Sequence, residues 1–270
     1  MAEWQDREWL RAEQYGTAAN LAARITLHER FSTNSQGWYA WLFERLQHAE
    51  PRRLLDVGAG PGRFWCENAP RVPTGWQVVV SDFSAGMIAA AGESLARAGM
   101  RCETNVFDAE SIPYPDGRFD TVLACHMLYH VADRGRALRE MARVLTSGGR
   151  LLAATNGPGH LAELESALER VGLPASLLGH NVAAPFSLEN GAEQVLEAFG
   201  RVELHRYHDS LRVTEVEPLL AYVRSLGSTE AIPEAAIDRL REHFTREFVA
   251  SGAVAIRKDV GVFVASAPRR

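Results

Sequence analysis

Cysteine is scarce: three residues in 270, Cys66, Cys102 and Cys125. They form no CxxC pair and show no metal-ligand spacing, and an odd, sparse count argues against the disulfide framework of a small secreted protein. Long apolar runs are missing too. Nothing approaches the ~18 consecutive apolar residues needed to span a bilayer. The opening stretch, Met1 to Trp9, is charged and holds no apolar segment of signal-peptide length. A cytoplasmic protein with reduced thiols, no metal and no membrane partner is expected. Positive charge is not in excess: Lys+Arg number 29 against Asp+Glu 34, giving a net charge of −5 and a pI near 6.0. With no Lys/Arg run either, a nucleic-acid partner is not expected. Internal repeats and low-complexity linkers are also absent. The composition that remains, 46% hydrophobic and 23% charged, is that of a globular chain. A chain of this size buries roughly three quarters of its surface on folding.

Three zones separate by pattern. Residues 1–48 read as helices without strands: Leu21, Ala22 and Ile25 share helical spacing, and Trp38, Trp41, Leu42 and Leu46 form a second apolar face. Four of the six tryptophans lie before residue 42, which anchors this segment to a core or lines a ligand pocket. Residues 52–156 alternate strand-like and helix-like stretches. Strands are predicted at 53–57, 77–82, 102–107, 119–125 and 150–155. Ser84 and Asp133 are predicted N-caps of the intervening helices. Such alternation implies βαβ units and a mostly parallel sheet. Residues 157–270 add helical stretches at 161–172, 190–199, 216–226 and 233–249, a strand near 202–207 and a last one at 260–265. The excursion over about 210–256 is too long for a simple connection and reads as a helical lid. The expected fold is α/β: a Rossmann-like, doubly wound, mostly parallel seven-stranded sheet with helical cap and lid insertions.

The strongest local signal is Leu54-Leu-Asp56-Val-Gly58-Ala-Gly60-Pro-Gly62, a strand running straight into a glycine-rich turn. Glycines there let a ligand approach the backbone at the carboxyl end of a sheet. A dinucleotide fingerprint, GxGxxG, needs glycine at 58, 60 and 63, but position 63 is Arg. The spacing disfavours a nicotinamide cofactor.

The segment Asp56-Val-Gly58-Ala-Gly60-Pro-Gly62 resembles the first motif of class I S-adenosylmethionine-dependent methyltransferases, [DE]xGxGxG. The next strand ends in Asp82. The stretch Phe107-Asp108 to Phe119-Asp120 is similar to the family's third-to-fourth-strand region, and Cys125-His-Met-Leu-Tyr-His-Val131 to its fourth strand end. The match runs in order over about residues 51–157. It implies S-adenosyl-L-methionine as cofactor, with Asp82 on the ribose hydroxyls and Asp108 on the adenine amino group. Gly58 and Gly60 would make room for the methionine portion, and Asp56 would bond loop amides or the ligand's amino group. Phe83 and Met87 are candidates for the adenine faces, or else for plain helix–sheet packing. Ala109 and Cys125 complete the expected cofactor set, with Tyr15 folding over the cofactor as a cap.

Methyl transfer from a sulfonium is an in-line displacement that demands orientation more than a fixed base. The carboxyl ends of the fourth and fifth strands face the methyl group in this fold. His126 and Asn156, with His160 beyond, are therefore the candidate catalytic residues, histidine being the natural base near neutral pH. Tyr129 and His130 lie in the same stretch and are expected to pack or cap. Tyr207, His208 and Asp209 read as a solvated strand end. The expected division is an N-terminal helical cap, 1–48, and a methyltransferase core, 49–270, with substrate-pocket insertions at about 157–189 and 210–256. Their aromatic and apolar content suits a small, partly apolar or aromatic acceptor whose reactive atom is O, N or C. A cofactor-binding sensor or partner subunit on the same fold is the rival expectation.

Overall fold

A computed structural model describes residues 18–46, 53–178, 184–226 and 232–269. Seven strands are named in chain order: β1 (Arg53–Val57), β2 (Gln77–Asp82), β3 (Glu103–Val106), β4 (Phe119–Cys125), β5 (Leu145–Asn156), β6 (Phe199–Val213) and β7 (Val254–Pro268). They form one sheet in the order β3-β2-β1-β4-β5-β7-β6. The pairings β1–β2, β1–β4, β2–β3 and β4–β5 are parallel, and β5–β7 is antiparallel. The strand order reverses between β1 and β4, and at such a switch point a crevice opens beyond the carboxyl ends of the strands.

The local choices follow from the residues. β2 carries the β-branched run Val78-Val79-Val80, buried on both faces as a central parallel strand requires. In β1, Leu54 and Leu55 point to opposite sides. Leu55 joins a core with Val57, Val122, Leu138, Met141 and Leu151. Leu54 joins another with Leu42, Trp65, Val80, Leu95 and Leu152. The helices in this part of the chain are α1 (Ala18–Phe31), α2 (Trp38–Glu44), α3 (Arg63–Asn68), α4 (Ala85–Arg97) and α5 (Arg134–Val144). Ser84 Oγ accepts from Met87 N at 3.4 Å at the start of α4, and Asp133 Oδ1 from Arg136 N at 2.8 Å at the start of α5. Both predicted caps are in place.

The later part of the chain adds α6 (Ala162–Arg170), α7 (Gly191–Ala198), α8 (Val216–Arg224) and α9 (Glu234–Ser251). The chain divides into two compact units. One comprises Trp38–Asn156, Pro185–Tyr207 and Val260–Arg270; the other comprises Met1–Gly37, Gly157–Ala184 and His208–Asp259. The expected cap segment, 1–48, is shared between them, α1 falling in the second unit and α2 in the first. The second unit has its own core of Leu27, Leu164, Leu168, Leu220, Leu240 and Phe244. Within the expected excursion 210–256, the helices α8 and α9 are present, but β6 continues to Val213 and β7 already begins at Val254. These extensions carry Arg212, Arg257, Lys258 and Asp259, and polar residues on a strand leave no hydrophobic run to betray it.

The solvated strand end expected at Tyr207–Asp209 is not what the structure holds. Tyr207 is 2% exposed, because strand alternation turns it and Asp209 inward and leaves His208 outside. Asp209 is a buried acceptor in the second unit. It receives Ser32 Oγ at 2.5 Å, Thr33 N and Asn34 N at 3.0 Å each, and the ammonium of Lys258. Burial alone would raise its carboxyl, but the Lys258 and Ser32 contacts outweigh it and hold the group below the usual carboxylate range.

Candidate active site

The turn after β1 is built on backbone that side chains resist. Gly58 and Gly60 have φ of 70° and 56°, the left-handed region that L-residues avoid. A Cβ on Gly58 would also lie 2.7 Å from Met127 Cβ, whereas one on Gly60 would meet nothing within 4 Å. Gly58 is therefore a packing requirement, and Gly60 borders open space. The turn is tied to the end of β2 by two bonds, and a third braces the Asp82 carboxylate. Ala59 N donates to Ser81 O at 2.9 Å, Gly60 N to Asp82 Oδ2 at 3.0 Å, and Ser84 N to Asp82 Oδ1 at 2.9 Å. Asp82 is 7% exposed. Burial pushes its carboxyl up, and the N–H groups of Ser84, Gly60 and Phe83 pull it back. Gly58→Ala is expected to cost about 2–4 kcal/mol, from left-handed strain together with overpacking against Met127. A urea titration checks this, and an unchanged midpoint would exclude the packing role.

Asp56 sits beneath this turn and is 1% exposed. Trp65 Nε1 donates to its Oδ2 at 2.8 Å, while Oδ1 is buried with no hydrogen-bond partner. Burial pushes the Asp56 carboxyl up to about 8; the Trp65 N–H opposes the shift and the neighbouring Asp82 adds to it. Burial likewise pushes the Cys125 thiol and the Tyr39 hydroxyl up, with Asp56 adding to both. A thiol held protonated in this way is not a nucleophile.

The remaining expected residues are distributed as follows. Asp108 follows β3, with Oδ1 accepting Glu110 N at 3.0 Å and its carbonyl accepting Ser111 N at 2.9 Å. Ala109 beside it is buried in the core, and Phe83 and Met87 are half-buried where α4 begins. His126 follows β4 in the left-handed region, φ 55°, with its N–H bonded to Ala154 O at 2.9 Å. Asn156 ends β5 and its carbonyl accepts Leu188 N at 3.2 Å. Asp56, Gly58, Gly60, Asp82, Phe83, Asp108, Ala109, Cys125, His126 and Asn156 thus gather along the carboxyl edge of the five parallel strands. His160 belongs to the second unit, where its ring lies 6.0 Å from that of His28 and its Nδ1 accepts Asp259 N at 3.3 Å. Tyr129 and His130 pack on each other, ring centroids 4.5 Å apart, in a short 3₁₀ turn. Tyr15 lies outside the described residues.

Trp65 escapes sequence reasoning, and so do the partners of Trp38 and Tyr207. The Trp38 ring lies 5.6 Å from His126, 5.4 Å from Trp41 and 5.4 Å from Tyr207. The helical spacing of Trp38 and Trp41 marks an apolar face, but not the histidine it meets. A family model described as the methyltransferase domain matches residues 55–153. Residues 55–153 are thus similar in sequence to that domain. Over 119 residues the chain is 31% identical to a ubiquinone/menaquinone biosynthesis C-methyltransferase of Geotalea daltonii, covering 43% of this chain and 51% of the relative. Over 130 residues it is 36% identical to a malonyl-[acyl-carrier protein] O-methyltransferase of Legionella pneumophila, covering 47% and 44%. The chain spans about half the length of the curated relatives it matches. In fold it is similar to the phosphoethanolamine N-methyltransferase 2 of Haemonchus contortus solved with S-adenosyl-L-methionine. The TM-score is 0.58 at 22% identity, over 97% of this chain and 60% of that one.

The matched residues fit S-adenosylmethionine on their own geometry. A buried carboxylate, Asp82, stands at a strand end where a ribose diol needs an acceptor. Gly60 leaves room where a side chain would stand, and the buried Asp56 Oδ1 has an unused lone pair. Among the described residues no group of three or more His, Cys, Asp or Glu is placed to hold a metal ion, and no helix is long and apolar enough to cross a membrane.

Proposed function

We propose that this chain transfers a methyl group from S-adenosylmethionine to a small-molecule acceptor, partly apolar or aromatic, by in-line displacement. The observation that carries the reading is the Asp82 carboxylate anchored by Gly60 N and Ser84 N beside an open glycine turn, within residues similar to a methyltransferase domain. Bound there, S-adenosylmethionine supplies an activated methyl group on a good leaving group. Asp82 would hold the ribose hydroxyls, Asp108 the adenine amino group, and Asp56 with Gly58 and Gly60 the methionine portion. Phe83, Met87, Ala109 and Cys125 would supply the apolar walls, and Tyr15 the cap. What the protein adds is orientation, which can lower a barrier by roughly 7–11 kcal/mol.

His126 and Asn156, at adjoining ends of β4 and β5, would orient the acceptor, with His126 taking its proton where one must leave. The C-, O- and N-methyltransferases similar to this chain are named for different acceptor atoms. Acceptor choice is accordingly assigned to the segments outside the matched core, 1–48, about 157–189 and about 210–256. A cytoplasmic location accords with three free cysteines.

Calorimetric titration with S-adenosylmethionine, S-adenosylhomocysteine and NAD tests the cofactor, and a mass-detected acceptor screen tests the transfer. Saturable binding of the first two without NAD is expected; binding of neither overturns the reading. Once an acceptor is found, His126→Ala should lower turnover about 10²-fold with unchanged cofactor affinity. Undiminished turnover would remove His126 from the chemistry.

A further inference from the structure

We propose that Asp56 holds a proton in the ligand-free site and releases it to solvent when the cationic cofactor enters, so that cofactor binding and proton release are one event. The inference rests on the S-adenosylmethionine reading and concerns what the chain must do to admit that cation.

Two carboxyls face each other across the turn, and their surroundings are unequal. Asp82 receives backbone N–H donors on both oxygens, from Gly60 and Ser84. Asp56 receives one donor, Trp65 Nε1 on Oδ2, and its Oδ1 has none. Among the described residues, the groups facing Asp56 are Asp82 at the end of β2, Cys125 at the end of β4, Tyr39 on α2 and Trp65 on α3. None is a cation. Arg63 and Glu67, also on α3, face the Tyr39 hydroxyl and offset one another there. Where two carboxyls share a site, the proton settles on the one with fewer donors and less water. That one is Asp56, whose carboxyl burial carries up to about 8. A positive charge brought into the glycine turn reverses the balance, since it favours the ionised form. Beside the carboxylate that both ligands carry, S-adenosylmethionine brings an ammonium and a sulfonium, whereas S-adenosylhomocysteine brings the ammonium and no net charge.

The test is calorimetric titration of the intact chain at pH 7 in two buffers of different ionisation enthalpy, with each ligand. Close to one proton released per cofactor bound is expected. Release with both ligands assigns the effect to the ammonium, and release with S-adenosylmethionine alone to the sulfonium. Asp56→Asn keeps an oxygen for the Trp65 N–H and should bring the release near zero. Below pH 8 the apparent affinity of the unmodified chain should rise about tenfold per pH unit, the signature of one linked proton, and level off above. Trp65→Phe removes the one N–H that favours ionised Asp56, so it should move that levelling to higher pH; this arm stands even if Asp56→Asn does not fold. Binding without proton release, release undiminished in Asp56→Asn, or levelling unmoved in Trp65→Phe each overturns the inference alone. Absence of cofactor binding overturns the functional reading with it.

Discussion

Asp82→Ala is expected to weaken S-adenosylhomocysteine binding by about 10²–10⁴-fold while leaving the fold intact. Two hydrogen bonds from a ribose diol to a charged acceptor are worth roughly 1.5–3 kcal/mol each, and about 1.4 kcal/mol is a factor of ten in affinity. The substitution also frees Gly60 N and Ser84 N, which Asp82 holds at 3.0 and 2.9 Å, so the turn loses its side-chain tie and keeps the backbone bond from Ala59 N to Ser81 O. Calorimetry measures the affinity, and circular dichroism with a melting curve verifies the fold. An affinity within threefold of the unmodified chain, about 0.7 kcal/mol, would sink the ribose assignment and shift attention to Asp108.

The second large effect is on stability. Asp209→Ala is expected to cost about 3–5 kcal/mol, lowering the melting temperature by about 10 °C for a chain of this size. Of the 29 Lys+Arg residues, Lys258 is the single lysine. Its side chain is 8% exposed and that of its partner Asp209 is 0% exposed. Removing the carboxylate takes the counter-charge from a buried ammonium and the acceptor from Ser32 Oγ, Thr33 N and Asn34 N. The double variant Asp209→Leu with Lys258→Met should be less harmful than Asp209→Ala alone, because an apolar pair leaves no buried charge. Because the Asp209 carboxyl is held low, its contribution is complete above the usual carboxylate range. It is lost as the pH falls through the depressed value. Thermal unfolding at pH 7 and in acid checks both statements; a single variant as stable as the double one would show that the ion pair does not hold this part of the chain.

The five parallel strands, both helix caps and the glycine turn were legible in the sequence because each rests on local physics. β-Branched runs make buried strands, Ser84 and Asp133 satisfy free helix N–H groups, and glycine at 58 and 60 takes a backbone that other residues refuse. The sequence by itself determined the order of chemistry-bearing residues along the strand ends, since a doubly wound sheet delivers every parallel strand's carboxyl end to one edge. It did not show where β6 and β7 extend, because their outer parts are polar. It also could not turn Tyr207 inward against Trp38 and Trp41, place His160 in a different unit from His126, or set Trp65 Nε1 on Asp56 and leave the other oxygen bare. Those outcomes were decided by tertiary structure alone. Each depends on which side chains the packed chain brings together, and on how completely that meeting excludes water.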